Sequence, residues 1–280
     1  MSEILSLIAA KRKPVVGMVQ LGAMPAGSRY RGGKIGPLLD AALEETEILA
    51  RNGADALMVQ NLGDIPVAHR VDRVQVAWMT QIVSEVRRAA GIPVGLNLLE
   101  NDAEAMIAVA SAAGADFVRI KVYVGAMMTP FGIETAQAHI AIKARNSWDA
   151  EHVAIFADVH DRTGNPIASG GLVEDLDFAV RLGGADGLVL TGKSYAETLQ
   201  FIATARSKLG AIPILVGGGV TESNFAEVAD VVDGVLVSSS LKDSSNAFGR
   251  LVPAKVAAFM KEVRRARSDT ETKAKTGKVA

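Results

Sequence analysis

Eight short apolar runs recur along the chain, "VVGMVQL", "ALMVQN", "PVGLNLL", "FVRIKV", "VAIFADV", "GLVLTG", "IPILVGG" and "GVLVSSS", each rich in branched side chains. Continuous apolar runs of this length predict parallel strands covered on both faces. Between most of them lie helix-length amphipathic stretches, among them "PLLDAALEETEILARNG", "RVQVAWMTQIVSEVRRAAG" and "SYAETLQFIATARSKLG". Strand and helix in alternation predict a single (β/α)8 TIM barrel. Turns such as "RNGADAL", "SAAGADFV", "RLGGADGLV" and "DVVDGVL" put glycine near each helix end, where a left-handed cap returns the chain to a strand. The barrel is expected over residues 1–267, opening with a short helix in "MSEILSLIAAKRKP", and the polar residues 268–280 are expected to fray as a flexible tail. The glycine-rich, basic "GAMPAGSRYRGGKIG" after the first strand fits either a mobile lid or an ordinary surface loop.

Side chains alternate along a strand, so parity sorts those facing the barrel axis from those beneath helices. In "FVRIKV" the face carrying Phe117, Arg119 and Lys121 must look inward, because an unpaired charge under a helix costs several kcal/mol, roughly. The same rule sends Phe156, Asp158 and His160 inward and nominates Gln20, Gln60, Asn97 and Thr191 on other strands, with Asn61 competing with Gln60. These positions gather toward the C-terminal rim, where barrels of this kind build their active sites. Asp158 beside His160 would make an orienting carboxylate and a general acid or base. Lys121 could polarise a carbonyl, hold an anion or form a Schiff base; an ion pair with Asp158 is the structural alternative.

The seventh run passes into "ILVGGGVTESN" and the eighth into "VLVSSSLKDSS". Loops after these two strands are the usual phosphate grip, so Gly217, Gly218 and Gly219 with Ser239 and Ser240 are the candidate phosphate ligands. Lys242 could assist from the rim, and Lys193 in "TGKSYAET" is a further substrate-binding candidate. That segment lacks the upstream glycines of a nucleotide P-loop.

The 280 residues include no cysteine, which excludes disulfides and thiolate chemistry and leaves any metal to oxygen or imidazole ligands. No cofactor is required by the sequence. A magnesium or manganese site built from Asp158 and His160, with Asp161, Glu100 or Asn61, is the alternative use of the same donors. A formal net charge of −1 gives no electrostatic case for a nucleic-acid partner. No apolar run reaches the roughly 18 residues of a membrane helix, and the basic residues at the start follow the apolar run instead of preceding it as in a secretory signal. A cytoplasmic location without membrane insertion is the expectation, and a homo-oligomer is the default for such barrels.

The segments "GADALMVQN", "IPVGLNLLENDAEA", "GADFVRIKVYVGAMMTPFGI", "IFADVH", "VLTGKSYAET" and "ILVGGGVTESNFAEV" together resemble the BtpA family, which includes SgcQ-like proteins, over nearly the whole barrel. The resemblance implies a phosphate-binding (β/α)8 barrel. Its associations divide between photosystem I accumulation and genes of sugar uptake and metabolism. The chain departs from the family pattern at Gln20 and "MPAGS", at Gln60, at Lys121, at Arg162 and Thr163 after the matching Asp158 and His160, and at "FGRLVPA". Two functions follow as expectations. One is an isomerase, epimerase or aldolase/lyase acting on a small phosphorylated carbohydrate, with Lys121, Asp158 and His160 catalytic. The other is a non-catalytic assembly or regulatory factor, as in photosystem I biogenesis.

Overall fold

The computed structural model describes residues 2–276. Its barrel strands are β1 (Val15–Gln20), β2 (Ala56–Gln60), β3 (Val94–Asn97) and β4 (Phe117–Ile120). After β4 the chain makes a hairpin, β5 (Ala126–Thr129) and β6 (Gly132–Thr135), before returning to the barrel with β7 (Ala154–Asp158). A two-residue strand, β8 (Asn165–Pro166), precedes the last three barrel strands, β9 (Gly187–Leu190), β10 (Ile214–Val216) and β11 (Gly234–Val237). The eight barrel strands are parallel and close on themselves through β1 and β11.

Two hydrophobic layers follow from the alternation. Val118, Ile120, Ile155, Ala157, Leu188 and Leu190 belong to the layer between barrel and helices. Val16, Met18, Met58, Phe117, Phe156, Val189, Leu215 and Leu236 fill the barrel itself. The rings of Phe117 and Phe156 meet edge to face at 5.9 Å, and glycines stand where they need room. A Cβ on Gly187 would lie 2.5 Å from the Phe156 ring, and one on Gly95 would collide with Phe117.

The helices form where the amphipathic stretches predict them: α2 spans Ile35–Arg51, α3 Arg73–Ala90, and α7 Tyr195–Leu209. Asp72 and Gln75 close a reciprocal capping box at the start of α3, and Gly91 ends it in a left-handed cap. Of the glycine turns, Gly53, Gly114 and Gly184 have positive φ, whereas Gly234 is the first residue of β11. Gly234 is there for space, since a Cβ would meet Leu215 and the Pro14 carbonyl.

The short N-terminal helix α1 (Glu3–Ala9) plugs the N-terminal end of the barrel with Ile4. The last helix, α9, runs Pro253–Thr276, past Arg267, where the sequence suggested fraying. Ala266 still packs against the core and Arg267 pairs with Asp55, and residues 277–280 of the expected tail lie outside the described residues. No described helix is long and apolar enough to cross a membrane.

Candidate active site at the barrel mouth

Above the two phenyl rings, parity brings Arg119 of β4 against Asp158 of β7. The guanidinium donates from Nε and Nη2 to the two carboxylate oxygens, each at 2.7 Å. Both groups are covered, the Asp158 side chain completely. Burial raises the Asp158 carboxyl to about 6, even with the attraction and hydrogen bonds of Arg119 working to lower it. Burial opposes the charge of Arg119 as well, but attraction to Asp158 outweighs it and raises the guanidinium pKa.

One layer outward, Lys121 Nζ stands 3.8 Å from Asp161 Oδ1, and Asp161 Oδ2 is 3.7 Å from Arg119 Nη2. Lys121 and Asp161 face a cavity of about 240 Å³ that Arg119 also lines. Its neutral wall is Gln20, Gln60 and Asn97, which are neighbours in register on β1, β2 and β3. Thr191, Gly217, Gly218, Gly219 and Ser239 form the opposite side, joined by Ser238 and Arg162.

The glycine loop is open by construction. Thr191 Oγ1 leaves no room for a Cβ on Gly217, and Gly219 has φ +78°. The amides of Gly218 and Gly219 donate to no described residue. A Cβ on Gly218 would lie 3.3 Å from both terminal nitrogens of Arg162, so that guanidinium sits over the loop. Arg162 has no hydrogen-bond or ion-pair partner among the described residues. Counting Arg119, Lys121 and Arg162 against Asp158 and Asp161, the mouth has one positive charge in excess.

Five of the sequence candidates stand elsewhere than the cavity wall. Asp158 lies behind Arg119, outside the larger cavity's wall, and lines a second, smaller cavity. His160 follows the end of β7 with φ +56°, so alternation no longer applies to it. Its Nε2 is 2.7 Å from Asp175 Oδ2, its ring lies edge-on to Phe201, and it lines that second cavity, of about 130 Å³, whose wall also includes Lys121, Asp158, Ser169 and Asp175. The expected Asp158–His160 contact is therefore replaced by two pairs, Arg119–Asp158 and His160–Asp175. Lys193 reaches Asn165 of β8 on the exposed rim, and Ser240 lines an outer groove beside Thr221 and Ser223.

Asn61 is fully buried behind the second loop. Its Nδ2 donates to Asp64 at 3.0 Å and to Glu100 at 2.8 Å, while its Oδ1 accepts from the Leu99 amide. Gln75 of α3 donates to Asp64 at 2.8 Å, and burial raises the pKa of both carboxyls. Asp64 also accepts from the Met24 amide, and Ser28 donates to the Pro66 carbonyl, so the base of the long first loop is fastened to the second. Lys242 is covered and paired with Glu45, not free at the rim. The oxygen and imidazole donors offered for a metal fall into four places: Asp158 with Arg119, Asp161 with Lys121, His160 with Asp175, and Asn61 with Glu100. No three metal-binding acidic or histidine side chains converge among the described residues.

Sequence reasoning undervalued Arg162 and Asp161, which lie beyond the strand where parity stops, and passed over Ser238.

Fold and site thus define a (β/α)8 barrel whose C-terminal mouth is a small cavity with mixed charge and amide walls. The chain belongs to the BtpA family, whose model matches residues 11–265. It is 33% identical to the photosystem I biogenesis protein BtpA of Synechocystis over 88% of this chain and 86% of that protein. It is 32% identical to an uncharacterised protein of Thermococcus kodakarensis, over 83% of this chain and 88% of that one. Among solved structures it is similar to N-(5'-phosphoribosyl)anthranilate isomerase from Pyrococcus furiosus, with a TM-score of 0.54 at 19% identity, covering 90% of this chain and 98% of that one. At that identity the similarity concerns the fold.

Proposed function

We propose that the protein is an enzyme acting on a small phosphorylated carbohydrate, with isomerase, epimerase or lyase chemistry. The observation that carries this is the unpaired guanidinium of Arg162 above the free amides of Gly218 and Gly219. A guanidinium and converging backbone amides form a site for a phosphate, and a charge-assisted bond of this kind contributes about 1.5–3 kcal/mol. The phosphoribosyl substrate in the name of the Pyrococcus furiosus enzyme agrees with this use of the barrel.

Lys121 and Asp161 are the groups placed for chemistry in the cavity. Lys121 would polarise a substrate carbonyl, and Asp161 would take or return a proton on the adjacent carbon. Arg119 and Asp158 hold them in place from below. Inorganic phosphate and a panel of ketose and aldose phosphates should raise the melting temperature. Arg162→Met should weaken phosphate roughly tenfold or more by titration calorimetry. No shift across the panel, or an unchanged affinity in the variant, removes the phosphate reading. For the chemistry, exchange of substrate carbon-bound hydrogen with deuterated water, followed by NMR, should be lost in Lys121→Met by a factor of roughly 100 or more. Exchange that persists in the variant takes Lys121 out of the mechanism.

The name of the Synechocystis relative supports a second reading, an assembly factor acting through its outer surface. Under that reading Arg162→Met and Lys121→Met both leave the biological role intact.

A further inference from the structure

We infer that the ligand of the mouth is a monophosphate whose remaining part is an uncharged polyhydroxy chain about the size of a pentose, and that Gln20 and Thr191 select for its hydroxyls. The inference rests on the phosphate reading above and adds to it what the rest of the molecule must be. Three observations support it.

The first is charge. Arg119 is matched by Asp158 and Lys121 faces Asp161, so Arg162 is the one cation of the cavity without a counter-charge. One surplus positive charge suits one phosphate monoester and leaves nothing to neutralise a second phosphate or a carboxylate. The second is the wall facing away from the glycine loop. Gln20, Gln60 and Asn97 lie side by side at one level, and none of them ionises. Gln60 Nε2 donates to Asn97 Oδ1 at 2.5 Å, and Asn97 Nδ2 donates to the Arg119 carbonyl at 2.7 Å, which fixes both amides. A rigid, neutral shelf of donors and acceptors recognises hydroxyl groups and offers no ion pair.

The third is a pair of unfinished hydrogen bonds. Gln20 Oε1 and Thr191 Oγ1 are both buried without a partner, and both residues line the cavity. Thr191 is 2% exposed and lies against Gly217. A buried polar atom without a partner costs stability, so its persistence at a cavity wall asks for a ligand group that completes it. A hydroxyl both donates and accepts, and satisfies either atom after a small side-chain rotation. The cavity of about 240 Å³ is below the roughly 300–1,000 Å³ of sites for drug-sized ligands, which limits the chain to a few carbons.

Calorimetry with four probes tests this: inorganic phosphate, n-pentyl phosphate, ribitol 5-phosphate and ribulose 1,5-bisphosphate. Ribitol 5-phosphate should bind at least roughly tenfold more tightly than n-pentyl phosphate and than the bisphosphate, a difference of about 1.4 kcal/mol. Thr191→Val keeps the shape and removes one unfinished hydrogen bond. It should bring the ribitol-to-pentyl ratio toward one without lowering the melting temperature of the ligand-free protein. Gln20→Met should reduce the same ratio, which serves as its own control for folding. If n-pentyl phosphate equals or exceeds ribitol 5-phosphate while inorganic phosphate still binds, the polyol inference fails and the phosphate site stands. If none of the four binds, the phosphate reading fails and this inference falls with it.

Discussion

Of the three cations at the mouth, Arg162 is unpaired among the described residues, Lys121 faces Asp161, and Arg119 is the buried one. Its Nε and Nη2 donate to the two oxygens of Asp158, a fork that fixes the plane of the guanidinium and leaves its other N–H groups toward the cavity it lines. Removing the carboxylate leaves a guanidinium with little water and only Asp161 at 3.7 Å. Asp158→Ala should therefore cost about 3–5 kcal/mol in denaturant unfolding, the scale of a broken buried pair. A loss under 1 kcal/mol, roughly the range of exposed pairs, would show that water reaches Arg119 freely. The conservative double replacement of Arg119 and Asp158 by apolar residues should recover much of that loss, because it leaves no charge unpaired.

Among elements, the loops after β1, β2 and β3 are joined by an unusual device: two buried carboxyls, Asp64 and Glu100, bridged by the amides of Asn61 and Gln75, with no cation paired to either among the described residues. Burial raises both carboxyl pKa values. A carboxyl raised on folding gives stability that is fully present below its ordinary range and lost as pH rises through the folded value. Glu100→Gln should accordingly stabilise the protein at neutral pH by up to about 1 kcal/mol, and its advantage should shrink as pH falls toward 4. Thermal unfolding across that range checks the sign; a constant gap, or one that widens with acid, excludes it. This network is also where legibility in the sequence stopped. Alternation placed Phe117, Arg119, Lys121, Phe156 and Asp158 correctly because all five lie on or directly beside regular strands. It failed at His160, two residues past the end of β7, where a positive φ turns the side chain toward α6 (Leu172–Asp177). It could not separate Asn61 from Gln60, since the choice depends on the turn that follows β2. The hairpin β5–β6 and its pairing with β8 had no apolar alternation to reveal them, and their register is set by each other.

For the molecule as a whole, the helical plug and the polar cavity occupy opposite ends of the barrel. At the N-terminal end Asp116 accepts from the Ser2 hydroxyl at 2.8 Å and from the amides of Glu3 and Ile4 at 2.6 and 2.7 Å, and so caps α1 from another element. Asp116→Ala should cost about 1–2 kcal/mol, the range of a lost helix cap, while the phosphate affinity proposed for the other end stays unchanged. A joint loss of stability and affinity would show that the plug shapes the mouth.

The rings of Phe117 and Phe156, seated in the gaps left by Gly95 and Gly187, give the mouth a hard bottom. Because neither ring can sink further and neither glycine can grow, depth is a constant of this barrel and reach is its only adjustable dimension. A variant that accepts longer chains would have to be cut from the rim, at Ile65 or Ala247, where the cavity meets its loops. Evolution or a designer working on the floor would spend stability and gain no room.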